Sequence, residues 1–248
     1  MIRRAISVVA LAASVAAHEG NADTPEQAAE KVVAAFWARD EGVMKGLAGK
    51  DDPDPWLVAD ELCFRAEHDA AEAFAMAAPR ADTEKLPAYV LARRARPTNP
   101  ALRDTLSKAN NAIAAGKPGD ALAVLDTVML DDLGVVAVRI DYGRGSSLRG
   151  LKRLEESADA FRTAGESASR LGWLARAARA FQESGISAYS RSDFRSALGA
   201  FEARLAVEER RGNRGEVAAA LGNIGVVHME LGAYAQALLF QERALKQK

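Results

Sequence analysis

Few side chains in this sequence could perform covalent or proton-transfer chemistry, and their spacing argues against it. Cys63 and His68 would be a nucleophile and its base, but five residues apart on a helical pattern they do not share a face. Cys63 stands between Leu62 and Phe64 and reads instead as a small core residue. As the one cysteine of the chain it can form no intramolecular disulfide and no cysteine metal cluster. His68 and Glu72 are an i, i+4 pair, yet one His and one Glu do not make a metal site, and no HExxH pattern is present. The stretch 143–150, GRGSSLRG, has the glycines of a phosphate loop but neither its Lys-Ser/Thr ending nor a preceding strand. The expectation is a chain without a catalytic site, without a metal and without a cofactor.

The elements that carry these residues are helical. The 248 residues are 49% apolar but only 6% aromatic, with abundant alanine, a composition suited to closely packed helices. Charged residues make up 27% and cancel to a net charge of −1, leaving no overall field to attract nucleic acid or an anionic membrane.

At the N-terminus, Arg3 and Arg4 precede the uncharged run 5–17, AISVVALAASVAA, which ends in small residues before His18. This is the layout of a secretory signal peptide over residues 1–17. The run is too short to span a bilayer, which takes about 20 residues. The expected location is therefore outside the cytoplasm, periplasmic or extracellular, with no membrane span once the signal is removed. The competing reading is an Ala-rich first helix or a misassigned start, which would leave the chain cytoplasmic.

Thr24-Pro25-Glu26-Gln27 predicts a helix start. One helix should follow to about Gly49, with Ala29, Val32, Val33, Phe36 and Trp37 on its buried face. The two prolines of Asp51–Pro55 break it. A helix pair over 56–78 and a further helix over 83–96 complete an irregular α-helical region, 24–97. Pro97-Thr98-Asn99-Pro100 separates it from a regular array over 98–248.

Within that array a period of 40 residues takes over. Hairpin turns fall at Gly116, near Lys152, near Ser192 and at Gly232. In register, one column is Gly145, Gly185, Gly225; others are Leu154, Phe194, Tyr234; Ser157, Ala197, Ala237; and Phe161, Phe201, Gln241. Gly172 and Gly212 follow long helices and suit left-handed helix ends. The small residues let the two helices of a hairpin approach closely. Each hairpin has two apolar faces, so only stacking buries both.

Leu221, Gly225, Ala237 and Ala244, with Gly232 and Tyr234 at the turn, resemble the tetratricopeptide repeat. The 40-residue spacing and Leu221-Gly-Asn223-Ile-Gly225 are similar to the extended subtype found in kinesin light chain. The resemblance covers about 101–248 in four units, the first sitting 36 rather than 40 residues ahead, and the segment 55–79 is a candidate degenerate unit. The fold it implies is all-α, a right-handed α-solenoid of antiparallel helix hairpins. The function it implies is a non-catalytic scaffold that binds a protein or peptide in a concave groove lined by the first helix of each hairpin. On that mapping Arg139, Tyr142, Ser146 and Arg149 line the groove from one unit. Arg179, Gln182, Ile186 and Tyr189 line it from the next, and Gly222, Asn223, Val226 and Met229 from the last.

Asn223 matches the family's ligand-binding asparagine, while Gly143 and Glu183 stand in its place in the two earlier units. Asp141 and Arg204 depart from the apolar and small residues of the pattern. His228, in a tyrosine column, reads as a packed core histidine. Long bacterial arrays of this kind can precede a CHAT protease domain, so the alternative function is that of a regulatory repeat region of a larger protease or signalling protein. The last hairpin, with Leu238 and Leu245 on its outer face, is a candidate surface for self-association.

Overall fold

In the computed structural model, residues 23–48, 54–78, 83–95, 99–128 and 134–247 are described. They form thirteen helices and no strand. The first, α1 (Pro25–Ala38), starts where the sequence predicts. Thr24 Oγ1 accepts from Gln27 N at 3.3 Å while Gln27 Oε1 accepts from Thr24 N at 2.9 Å, a reciprocal capping box. It does not run to Gly49. Arg39 turns left-handed (φ 55°), its N–H returns to the carbonyls of Ala35 and Phe36, and Asp40 Oδ1 accepts from Val43 N to start α2 (Glu41–Ala48). The buried face of α1 is Ala28, Ala29, Val32 and Ala35, so Trp37, expected on that face, is 74% exposed.

The next helices are α3 (Pro55–Phe64), capped by Asp54 Oδ1, α4 (His68–Ala77) and α5 (Leu86–Ala95). The α5 helix begins three residues later than expected, after a turn over 83–85. The array follows in four hairpins: α6 (Pro100–Ala114) with α7 (Pro118–Leu125); α8 (Val135–Gly150) with α9 (Leu154–Leu171); α10 (Leu174–Ser190) with α11 (Phe194–Arg211); and α12 (Arg214–Glu230) with α13 (Tyr234–Leu245). Their turns share one left-handed residue each, at Gly116, Lys152, Ser192 and Gly232 (φ 63° to 74°). Gly172 and Gly212 close α9 and α11 in the same conformation (φ 87° and 69°). From α6 onward each helix packs on the next in sequence, as a stacked array requires.

The glycine column works as predicted. A Cβ on Gly145 would lie 2.8 Å from the Phe161 ring, and one on Gly185 would lie 2.5 Å from the Phe201 ring. Both rings are fully buried. Hydroxyls fasten helix to helix both within and between hairpins: Ser157 Oγ of α9 donates to Gly145 O of α8 (2.8 Å), and Ser184 Oγ of α10 donates to Ala158 O of α9 (2.8 Å). Arg204, irregular in sequence, is buried and pairs with Glu216 of α12 at 2.5 Å, holding successive hairpins together.

The N-terminal helices share one apolar cluster with the array: Trp56, Phe74, Leu86 and Val90 meet Val135, Val138, Ala168, Trp173 and Leu174. Trp56 stacks on Trp173 with centroids 6.0 Å apart, and Trp173 Nε1 donates to Asp54 Oδ2 at 2.7 Å. Each buried tryptophan removes on the order of 200 Å² from water, worth about 5 kcal/mol gross at ~25 cal/mol/Å². The N-terminal region is thus part of the same packed body. The signal-peptide reading of residues 1–17 and the joint at 96–98 lie outside the described residues.

Candidate partner-binding groove

The first helix of each hairpin presents two opposite faces, because residues two apart point about 200° away from each other. On α10, Phe181, Ser184 and Ala188 turn to α9 and α11 and line a cleft of ≈ 530 Å³ with Glu155, Asp159 and Arg162. Arg162 spends its charge there on Asp159 and Glu166, both at 3.1 Å. Arg179, Gln182, Ile186 and Tyr189, named as groove residues in the repeat mapping, lie on the other side of the same helix.

Several of the predicted groove residues are already engaged. Arg139 of α8 donates to Asp60 Oδ2 of α3 at 2.9 Å; Asp60, 1% exposed, also accepts from Tyr89 Oη at 2.6 Å. Arg149 pairs with the buried carboxylate of Glu183 on α10 and lies 5.4 Å over the Phe161 ring. Tyr142 packs edge-on against Phe161, and burial raises its pKa, assisted by Glu183. Tyr189 Oη donates to Glu230 Oε1 of α12 at 2.9 Å. Gln182 is buried. Arg139, Tyr142, Arg149 and Tyr189 therefore stitch neighbouring helices together. Arg179 and Met229 are exposed, and Ile186, Asn223 and Val226 are half-exposed. The accessible stretch runs over α10 and α12.

Three residues at this site lie outside the repeat mapping, two of them without any signal of their own in the sequence. Asp60 and Trp173 act through partners 79 and 119 positions away. Arg176 lies one turn before Arg179 on the same face of α10, a spacing that could have drawn attention to it. Its guanidinium sits 4.9 Å from the Tyr142 centroid and 5.0 Å from that of Trp173. Burial lowers its pKa, opposed by Asp54 and assisted by Arg179 and Arg139.

The remaining candidates for chemistry are dispersed. Burial pushes the Cys63 thiol up to about 12, the reverse of what a nucleophile needs. His228 stacks on Phe240 at 5.2 Å as a packing residue. Among the described residues no group of three or more His, Cys, Asp or Glu is placed to hold a metal ion, and no helix is long and apolar enough to cross a membrane. On the last hairpin Tyr234, Leu238, Leu239 and Leu245 are exposed, whereas Leu198 and Leu205, one repeat earlier, pack against apolar residues of the array.

No curated protein matches the sequence. The crystal structure of MamA is similar over 77% of this chain and 94% of its own, at 18% identity and a TM-score of 0.46. That of BtubC (BKLC) from P. vanneervenii is similar over 90% of this chain and 89% of its own, at 18% identity and a TM-score of 0.45. The model of the tetratricopeptide repeat matches residues 106–170 and 183–248, more than half of the chain. With that match on a stack of helix hairpins, the chain belongs to the tetratricopeptide repeat family, a scaffold fold for protein–protein interaction.

Proposed function

We propose that the chain binds an extended or helical segment of a protein partner along the face formed by α10 and α12, without catalysis of its own. The observation that carries this reading is the accessible row Arg179, Ile186, Asn223, Val226 and Met229. These side chains combine a cation, an amide and apolar area, while the residues between them hold the helices rigid. A preorganised surface of this kind loses little freedom on binding. The test is selection of twelve-residue peptides from a random phage library. Peptides enriched on the wild-type protein should lose binding to Val226→Glu/Met229→Glu and keep it on Arg195→Glu, which alters an exposed residue of α11. Enrichment indifferent to the first variant refutes the groove.

The secretory layout of residues 1–17 supports export; N-terminal sequencing of the mature protein should begin near His18 if that is right. Leu238, Leu239 and Leu245 support association of two copies through α13. Sedimentation at increasing concentration should then show a dimer that Leu238→Asp/Leu245→Asp abolishes, and an unchanged monomer would rule it out.

A further inference from the structure

On the side of α10 turned from the groove, the cleft of ≈ 530 Å³ is a place where one repeat lacks side chains that the next one has. Its walls carry Ala158, Ser184, Ala188, Ala200 and Ala203. One repeat later these positions are Leu198, Ile224, His228, Phe240 and Arg243. There the space is closed. Leu198, Ile224 and Phe240 belong to one apolar cluster, His228 stacks on the Phe240 ring at 5.2 Å, and the Arg243 guanidinium lies 5.2 Å over the same ring. What the cleft lacks is an aromatic ring with a cation against its face. The helices around it are held apart: Ser184 Oγ ties α10 to Ala158 O of α9, and the Phe181 ring occupies the space beside Gly165, where a Cβ would lie 2.8 Å from it.

The charges at the cleft match the missing cation. Four carboxylates, Glu155, Asp159, Glu166 and Asp193, line it with two guanidiniums, Arg162 and Arg191. Arg162 is shared between Asp159 and Glu166, and Arg191 between Glu155 (3.3 Å) and Asp193 (3.7 Å). The carboxylates are in surplus beside an apolar floor, and a concave wall of low dielectric focuses their field. The acids also accompany the opening. Their counterparts in the closed repeat are Arg195, Gly199, Ala206 and Ala233, none of them acidic.

We propose that this cleft binds a small aromatic amine. Its ring takes the place that Phe240 fills in the next repeat, and its ammonium group donates to the surplus carboxylates. The site is separate from the groove and does not depend on it.

The test titrates the full chain at low salt with 4-fluorophenethylamine, followed by the fluorine resonance of the ligand. The shift should saturate with a Kd on the order of millimolar, the range for a ligand of about ten non-hydrogen atoms. The alcohol with the same ring should bind about tenfold more weakly, and Glu155→Gln/Asp159→Asn should cut that preference to less than about threefold. Ala200→Phe, which installs the ring of the closed repeat, should abolish saturable binding, while Val226→Glu/Met229→Glu in the groove should leave it unchanged. Helical melting curves establish that the variants fold. Binding that never saturates, that is equal for amine and alcohol, or that survives in folded Ala200→Phe overturns the proposal. Should Ala200→Phe not fold, the charge variant decides, and an undiminished preference for the amine overturns it.

Discussion

Adding one methyl group to either of two helical glycines should move stability in opposite directions. Gly185 and Gly222 both lie inside first helices of their hairpins, α10 and α12. Replacing a helical glycine by alanine gains roughly 0.5–1 kcal/mol from backbone entropy and helix propensity. At Gly222 nothing lies within 4 Å of the new methyl, so Gly222→Ala should show that gain undiminished. At Gly185 the methyl would sit 2.5 Å from Phe201, about 1 Å inside the optimal carbon separation of roughly 3.5 Å. Phe201 cannot retreat: it is fully buried and clustered with Tyr189, Ala197 and Ile224. Overpacking of this kind costs about 1–3 kcal/mol, so Gly185→Ala should be destabilising by up to about 2.5 kcal/mol after the propensity gain of roughly 0.5–1 kcal/mol is subtracted. For a chain of this size each kcal/mol moves Tm by about 2–4 °C. Urea titrations followed by circular dichroism would read both variants, and Phe201→Leu should restore part of the loss in Gly185→Ala. Two variants that change stability in the same direction, or no rescue by Phe201→Leu, would refute the close-approach account of the column.

Asp60→Ala strands Arg139 and the Tyr89 hydroxyl; removing one partner of a buried pair should cost about 3 kcal/mol, seen as an earlier urea midpoint in the fluorescence of Trp56 and Trp173. Burial raises the Glu208 carboxyl against the pull of Arg211 and Arg204. A raised carboxyl binds protons more readily folded than unfolded. The wild type should therefore gain stability over Glu208→Gln as pH falls from 7 towards its unfolded value of 4.5; a difference independent of pH would contradict this. With its pKa near 12, Cys63 should react with iodoacetamide at pH 8 about a thousandfold more slowly than a free thiol, and urea should restore the ordinary rate.

The array was legible because its determinants are local and repeated. Gly145, Gly185 and Gly225 recur with the large residues that fill the space they leave, and the turns at Gly116 and Gly232 punctuate it. Lys152 and Ser192 were placed at turns by register alone, since neither residue type advertises a left-handed backbone. The break in the first helix was missed for the same reason: Arg39 takes that conformation without being glycine or asparagine. Rotation of the buried face by one position then put Trp37 in solvent. The docking of α3 and α5 left no periodic trace, because Asp54, Asp60 and Lys85 find their partners by tertiary contact across the chain. For the groove, residue types marked the face, but which arginines are already spent depends on Asp60 and Glu183, and pairing is not written in spacing.

The stacked tryptophans also set where the molecule can bend. A solenoid is a spring whose compliance is summed over its junctions. Lys85, reaching Arg170 O at 3.3 Å, and Asp54, reaching Trp173, brace the junction between α9 and α10. The next junction, at Gly212, is tied within the array itself by Arg204 with Glu216 and by Tyr189 with Glu230. Bending is therefore resisted at both junctions that flank the hairpin of α10 and α11, and the accessible row from Arg179 to Met229 keeps its spacing as the rest of the coil flexes.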